Sequence, residues 1–374
     1  MQKLIGIHNQ GYPVRRNISF YSNNHIFSKN INLLTPIVKL LYFLKIRGGF
    51  YYFFKNTFID IFPNKSIGYH FFNSIYIGKK PWIVTYESTL PRWFNKNIYL
   101  KYLHHIFEKD NCRQIIAISE NAKNIFLADL VSNQCSIEKI ENKLSVIHPP
   151  QKLIFDGKNK IEQKSINSFV IVGNHFYRKG GFECLKAFET LFDQGIINWS
   201  FTVISTLEKD PYSNDTIISE TRQLFVKMKS NITHLTNVKN EEVLQILLKS
   251  EIAVLPTYSD TYGYFVLEAQ ACGCPVITTN VRALPEINNN NIGWLIEVPK
   301  DGYGNLNIEI GREHLSELLT NKLSDILMEI ILGNEKDNIN KKRNNCLRNI
   351  QINHNPDKIA KELNSYYDEF NNCF

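Results

Sequence analysis

Residues 251–275, EIAVLPTYSDTYGYFVLEAQACGCP, restrict the fold more than any other stretch of the chain. Ile252-Ala253-Val254-Leu255 is a short apolar run stopped by Pro256, the pattern of a buried parallel strand. A polar loop from Thr257 to Tyr262 leads to Gly263 and then to a helical stretch, Tyr264 to Ala271. Strand, glycine-containing loop and helix N-terminus in that order make an anion site, because backbone N–H groups and the positive end of the helix dipole point the same way. Two carboxylates, Asp260 and Glu268, bracket the turn. An acid on the first turns of such a helix can accept from both hydroxyls of a ribose, which suits Glu268. Asp260, on the loop side, suits the hydroxyls of a sugar attached to the phosphates. The residues alone describe a nucleoside-diphosphate site with a polyol beyond it; an ordinary buried strand–helix turn is the plainer alternative.

The rest of the chain supplies the frame for such a site. At 374 residues and 43% hydrophobic content it can fill two cores of ordinary size. In the first half, Lys3–His8 predicts an edge strand and residues 9–30 a polar loop. Ser66–Ile77, Pro81–Glu87, Gln114–Ser119 and Leu144–His148 predict further strands, with helices over Asn97–Lys109 and from Ser119, a good N-cap, to Leu130. Residues 150–167 are polar and charged, a natural linker. A second alternation follows, with strands over Ser168–Gly173, Ser200–Ser205, Ile232–Thr236, Pro275–Thr279 and Gly293–Val298. Its helices run over Gly180–Gln194, Ile218–Lys229, Glu241–Lys249 capped by Asn240, and Leu315–Leu332. Asn355-Pro356-Asp357 starts a last helix with Ile359, Leu363, Tyr366 and Phe370 on one face. Strand alternating with helix means parallel sheets with crossover helices. The expected fold is α/β, with two Rossmann-like doubly wound domains, residues 1–150 and 168–350, facing a central cleft where the strands' carboxyl ends hold ligands.

A second anion-binding pattern accompanies the first. Gly173-Asn174-His175-Phe176-Tyr177-Arg178-Lys179-Gly180-Gly181 follows a strand and opens a helix, and its adjacent cations suit a diphosphate. The spacing is not that of a nucleoside-triphosphate phosphate loop. No Asp-x-Asp triplet and no His/Cys cluster with ligand spacing occurs, so no metal or other cofactor is expected. Charge on a leaving diphosphate then falls to Lys179, Arg178 and the amides of Tyr264, Phe265 and Val266. Glu87 ends the PWIVTYE strand and either holds a substrate hydroxyl or pairs with Arg92. His70, His148 and the adjacent His104 and His105 are expected to be structural.

These residues resemble the large retaining glycosyltransferases of family four, the group 1 glycosyl transferases. The resemblance rests on Asp260-x7-Glu268 with Gly263 inside it, Glu268-Ala269, Gly273-Cys274-Pro275-Val276-Ile277, Ala283-Leu284-Pro285-Glu286-Ile287 and Gly293-Trp294. Lys179 also stands in register with the lysine of that family's Gly-Arg-x4-Lys-Gly segment. The chain departs from the pattern at Asp260, where Glu is usual, at Asn174, where Arg is usual, and at Glu87, often His. The resemblance covers most of residues 168–300 and residues 81–150 more weakly. It implies the GT-B architecture, with residues 355–374 crossing back to the N-terminal domain, and transfer from a nucleotide-diphosphate sugar without metal. In it Asp260 orients the donor sugar, Glu268 holds the ribose, Gly263 to Val266 and Lys179 meet the diphosphate, and the acceptor enters near Glu87 and Arg92. A glycan or lipid-linked acceptor of bacterial surface polysaccharide or lipopolysaccharide synthesis is the expected partner. The three departures leave a second reading open, a non-catalytic nucleotide-sugar-binding subunit of a glycosylation complex.

Charge points to where such a protein works. The whole chain carries a formal +7, yet its first 86 residues hold a single acid, Asp60, against 11 Lys and Arg. Residues 33–62, LLTPIVKLLYFLKIRGGFYYFFKNTFIDIF, place Thr35, Lys39, Tyr42 and Lys45 on one helical stripe among apolar residues. That is either a core helix or a basic amphipathic surface resting on lipid. An anionic membrane surface is the expected partner of the basic half, rather than nucleic acid, for which no recognised module is present. No signal peptide and no run of about 18 apolar residues is seen. The seven cysteines are scattered, as in reduced thiols. The expected location is cytoplasmic, peripheral on the inner face of the cell membrane.

Overall fold

The computed structural model describes residues 3–7, 11–19, 25–29, 65–92, 100–155, 167–333 and 335–370, and singly Pro36, Ile37, Leu40, Phe43 and Leu44. The chain divides into two compact units, residues 1–150 with 354–374, and residues 151–353.

In the first unit β1 (Lys3–Ile7) is followed by a short helix α1 (Tyr12–Asn17), β2 (His25–Lys29), β3 (Gly68–Phe72) and β4 (Trp82–Tyr86). Then come α2 (Leu100–Glu108), β5 (Cys112–Ala117), α3 (Glu120–Ser132), α4 (Glu138–Glu141) and β6 (Leu144–Val146). The strands form one parallel sheet in the order β2-β1-β3-β4-β5-β6. β3 and β4 are buried at every position, as a parallel sheet covered on both faces requires. Trp82, Tyr69, Phe71, Tyr76, Phe107 and Phe126 form an aromatic core on one face. Ser119 caps α3, its hydroxyl accepting from the Ala122 amide at 3.0 Å.

Two expectations change here. β1 is not an edge strand, because β2 pairs outside it. Residues 9–30 are not a plain loop, since they hold α1 and β2. Among the described residues of that segment, Val14 and Ile18 are buried with Ile7 and Phe72, and Phe27 packs partly buried beside them, too few apolar residues to show a period in sequence. Most of residues 33–62 lie outside the described residues. Leu40, Phe43 and Leu44 are exposed there, and the Leu44 amide donates to the Leu40 carbonyl at 2.9 Å, one helical turn.

The second unit runs β7 (Ser168–Val172), α5 (Gly181–Asp193), β8 (Ser200–Ile204), α6 (Asp215–Lys227), β9 (Ile232–Leu235), α7 (Asn240–Lys249) and β10 (Ile252–Leu255). It continues with α8 (Tyr264–Ala271), β11 (Val276–Thr279), α9 (Leu284–Ile287), β12 (Trp294–Ile296), α10 (Arg312–Leu332) and α11 (Lys336–Asn353). Its parallel sheet has the order β12-β11-β10-β7-β8-β9. The chain therefore winds outward from β7 through β8 and β9, then returns to β10 on β7's other side. β7 and β10 flank the point where strand order reverses, the place where doubly wound sheets bind ligands. α6 starts at Asp215, three residues before expectation, because the Asn214 side chain accepts from the Ile217 amide at 2.8 Å. Asn240 is the first residue of α7 and not its cap, a position Lys239 occupies.

The chain returns to the first unit in α12 (Pro356–Asp368), capped by Asn355 through the Asp357 amide at 2.9 Å. Ile359, Leu363, Tyr367 and Phe370 pack on Ile5, Ile83 and Ile116 of the first sheet; Tyr366 is only partly buried. The Tyr367 hydroxyl meets His70 Nδ1 at 2.6 Å, and His70 Nε2 meets the Thr85 hydroxyl at 2.8 Å. This buried histidine thus links the terminal helix, through Nδ1, to Thr85 of β4, through Nε2.

Candidate functional site

The two sequence motifs meet at the carboxyl ends of β7 and β10. After β7 the chain turns through residues 173–180 and enters α5. After β10 it runs from Pro256 to Gly263 and enters α8. Gly180 has φ +77°, and a Cβ there would lie 2.2 Å from the Pro256 carbonyl oxygen, so glycine lets the two loops touch. Gly263 has φ +94°, and its missing Cβ leaves room for the Leu284 side chain. The Arg178 carbonyl accepts from the Tyr258 amide at 2.9 Å and from the Thr257 hydroxyl at 3.0 Å. Arg178 Nη1 donates to the Ser259 carbonyl at 2.9 Å. Asp210 Oδ2 accepts from the Arg178 amide at 3.0 Å, which fixes the first loop from the β8 side.

Lys179 and Asp260, 81 residues apart in sequence, form an ion pair in which each side chain is 15% exposed. Asp260 Oδ1 faces back into its own loop, accepting from the Gly263 amide at 3.2 Å and the Tyr262 amide at 3.4 Å. Oδ2 points to the Lys179 ammonium. Burial pushes the Asp260 carboxyl up, but the ammonium in contact, with Arg178 beyond it, pulls it down further, so it stays below its usual value. Glu268 lies on the second turn of α8, half-buried. The Val266 amide donates to the Gly263 carbonyl at 2.8 Å. Of the amides assigned to the diphosphate from sequence, that one is already committed within the turn. Cys272 and Cys274 are buried behind it.

In the first unit, Glu87 is held by Arg92 in an ion pair and by Asn73, whose amide donates to Glu87 Oε1 at 3.2 Å. Asn73 Oδ1 accepts from the Glu87 amide at 3.0 Å. The pairing with Arg92 that sequence offered as one alternative is therefore present. His104 sits 3.8 Å from Glu108 on α2, and His105 is exposed.

Sequence reasoning missed a polar cluster beneath the β10 loop. Glu183, in the first turn of α5, is fully buried and meets Tyr258, Arg312 and Ser316. A carboxylate among the apolar positions of α5 was the available signal, since a buried charge needs partners. Among the described residues no three His, Cys, Asp or Glu side chains converge as a metal site. No helix among them is long and apolar enough to cross a membrane. A cavity of about 580 Å³ lined by Phe182, Lys186, Arg312 and Ser316 contains none of the candidate site residues singled out from sequence.

Residues 154–303 match the family described as Glycosyl transferases group 1. The chain is 29% identical over 197 residues to the Staphylococcus aureus capsular polysaccharide biosynthesis glycosyltransferase CapM, covering 49% of this chain and 48% of that protein. It thus spans about half the length, or less, of the curated relatives it matches. Among solved structures, a glycosyltransferase from Rickettsia africae superposes with a TM-score of 0.61 at 16% identity, covering 100% of this chain and 91% of that one. Anabaena HepE in complex with UDP gives 0.58 at 11% identity, covering 98% and 92%. At these identities the likeness is one of fold: two parallel sheets flanked by helices, the GT-B architecture.

Proposed function

We propose that this chain, which carries a group 1 glycosyl transferase domain over residues 154–303, is a retaining glycosyltransferase that needs no metal. It takes a sugar from a nucleotide-diphosphate sugar to a glycan or lipid-linked acceptor in bacterial surface polysaccharide synthesis. The observation that carries this reading is the Lys179–Asp260 pair at the ends of the adjacent strands β7 and β10. One strongly basic and one strongly acidic group, both mostly shielded from water, stand where a diphosphate and its sugar would meet.

In the proposed reaction the bond between the anomeric carbon and the diphosphate oxygen breaks as the acceptor oxygen bonds to the same face of that carbon. The acceptor proton passes to a donor phosphate oxygen. Negative charge grows on the leaving diphosphate, and the Lys179 ammonium meets it, with the Arg178 charge beside it and the α8 N-terminus below. Asp260, its carboxylate ionised at neutral pH, orients the sugar hydroxyls and stabilises positive charge on the ring. Glu268 accepts from the ribose hydroxyls. Glu87 and Arg92 are assigned to the acceptor side. The similarity to CapM, a capsular polysaccharide biosynthesis glycosyltransferase, supports the choice of acceptor class. The test is a thermal-shift panel of nucleotide sugars, followed by release of nucleoside diphosphate with and without acceptors. Binding without any release would favour the non-catalytic subunit.

The same reading places the protein on the cytoplasmic face of the membrane. Ile37, Leu40 and Leu44 are 49%, 56% and 54% exposed and Phe43 82%, in a segment whose neighbours include Lys39 and Lys45. Exposed apolar residues interleaved with lysine favour an anionic leaflet, at about 1 kcal/mol per basic contact. Co-sedimentation with anionic vesicles should fall with salt and weaken when Lys39, Lys45, Arg47 and Lys55 become Gln. Equal, salt-insensitive binding to neutral vesicles would remove the membrane from the proposal.

A further inference from the structure

Glu183 is a buried charge that packing alone does not explain. Its Oε1 accepts from the Tyr258 hydroxyl at 2.8 Å, the Ser316 hydroxyl at 2.7 Å and Arg312 Nη2 at 2.9 Å. The Arg312 guanidinium lies 4.4 Å from the centre of the Tyr258 ring and donates from Nη1 to the Tyr258 hydroxyl. Its other nitrogens reach the Tyr212 carbonyl at 3.3 and 3.4 Å. Tyr258 is also anchored through its backbone, its amide on the Arg178 carbonyl and its carbonyl accepting from the Leu306 amide at 3.2 Å. Burying such a cluster adds little to stability over an apolar one of the same shape, while breaking it costs several kcal/mol. What it supplies is geometry: hydrogen bonds with direction where apolar contacts have none.

The position of the cluster says what that geometry serves. Glu183 is four residues beyond Lys179 on the helix that Lys179 introduces, and Tyr258 is two residues before Asp260. One carboxylate therefore grips both loops that carry the ion pair. Burial, and then the Glu183 charge, raise the Tyr258 phenol, so it stays a hydroxyl that can donate to Glu183 while accepting from Arg312.

We propose that Glu183 is a positioning residue which, through the Tyr258 hydroxyl and Arg312, sets the placement of Asp260 against Lys179. The proposal rests on the donor-site reading above. Displacement of a reacting group by 1 Å can cost about a hundredfold in rate, so loss of one directional contact should appear in turnover and not in nucleotide binding.

The experiment compares Tyr258→Phe with Ser316→Ala. Each removes one hydroxyl of similar hydrogen-bond length from the same Oε1, but only Tyr258 belongs to the loop. Two readouts are taken: kcat and KM for the nucleotide sugar, and the titration of the Asp260 carboxyl carbon by NMR. Tyr258→Phe should lower kcat about tenfold or more with KM within about twofold, and should move the Asp260 titration upward as contact with Lys179 loosens. Ser316→Ala should leave both near wild type. Glu183→Gln, which keeps an acceptor, should retain more activity than Glu183→Ala; should those variants fail to fold, the hydroxyl pair still decides. Equal losses in Tyr258→Phe and Ser316→Ala, or an unmoved Asp260 titration in Tyr258→Phe, would overturn the proposal. A wild-type protein that turns over no nucleotide sugar, with the Asp260 titration still moved, would instead sink the donor-site reading and leave the positioning role standing.

Discussion

Replacing Asp260 by Asn tests the site most directly, because it removes a charge and almost no volume. Oδ1 can still accept from the Gly263 and Tyr262 amides, so the loop keeps its turn. What is lost is the partner of Lys179, which is left 15% exposed and unpaired in the absence of ligand. Breaking a fully buried pair costs about 3–5 kcal/mol and an exposed one less than about 1 kcal/mol. At this burial a loss near 2 kcal/mol is expected. Nucleoside-diphosphate binding should move the other way. In the proposed complex of the wild type the diphosphate must share Lys179 with Asp260 and lie near a second negative charge. In the variant it is the only counterion, and relief of about 1 kcal/mol is about fivefold tighter binding. Asp260→Asn should therefore unfold earlier than wild type, bind nucleoside diphosphate more tightly by calorimetry, and transfer no measurable sugar. The acid limb of stability should also flatten. The folded Asp260 carboxyl lies below its unfolded value, so its stabilisation is present above the unfolded pKa and lost as pH falls through the folded one. Weaker diphosphate binding in the variant, or unchanged transfer, would refute this account of the pair.

Three further outcomes follow from the same structure. Lys179→Ala should reduce kcat by a larger factor than it raises KM, because charge on the leaving diphosphate grows toward the transition state; steady-state kinetics with preserved kcat would contradict that role. Transfer should persist in EDTA, and loss restored by magnesium or manganese would overturn the metal-free reading. His354 is buried, its Nδ1 2.9 Å from the Pro149 carbonyl, and burial lowers its pKa to about 4, opposed by that carbonyl and aided by His148 and Arg16. With the folded value below the unfolded 6.5, stability is full above pH 6.5 and falls by about 3 kcal/mol as pH drops to 4. His354→Gln should flatten that limb in urea titrations at stepped pH; an unchanged slope would place the acid sensitivity elsewhere.

Several features of this protein were legible in sequence because their causes are local. Pro256 ends a strand, Gly263 permits a left-handed residue, and Ser119 and Asn355 supply capping oxygens, each within a few residues of the element it shapes. The apolar face of α5 at Phe182, Leu185, Phe188 and Leu191 is a local period, and all four side chains are buried. The motif around Asp260 and Glu268 belongs to the same class, and its order of strand, loop and helix is what the structure contains.

Where the partner is distant, sequence was silent or misleading. β1 pairs with β3 across some sixty residues, and nothing in KLIGI says that another strand will lie outside it. α11 went unseen because its sequence, KDNINKKRNNCLRNIQIN, offers only Ile339, Cys346 and Ile350 as buried apolar residues. Its remaining burial is polar and satisfied from elsewhere: Lys342 Nζ donates to the Gly293 carbonyl at 2.8 Å and Asn349 to Gln270 Oε1 at 3.0 Å. The pairing of Lys179 with Asp260, and the grip of Glu183 on Tyr258, Arg312 and Ser316, join residues 75 to 133 positions apart. The sequence by itself determined which residues could bear charge at each strand end. Only the tertiary structure, by laying β10 beside β7 at the reversal of strand order, decided which of those charges meet, because pairing across a sheet is set by topology and not by spacing along the chain.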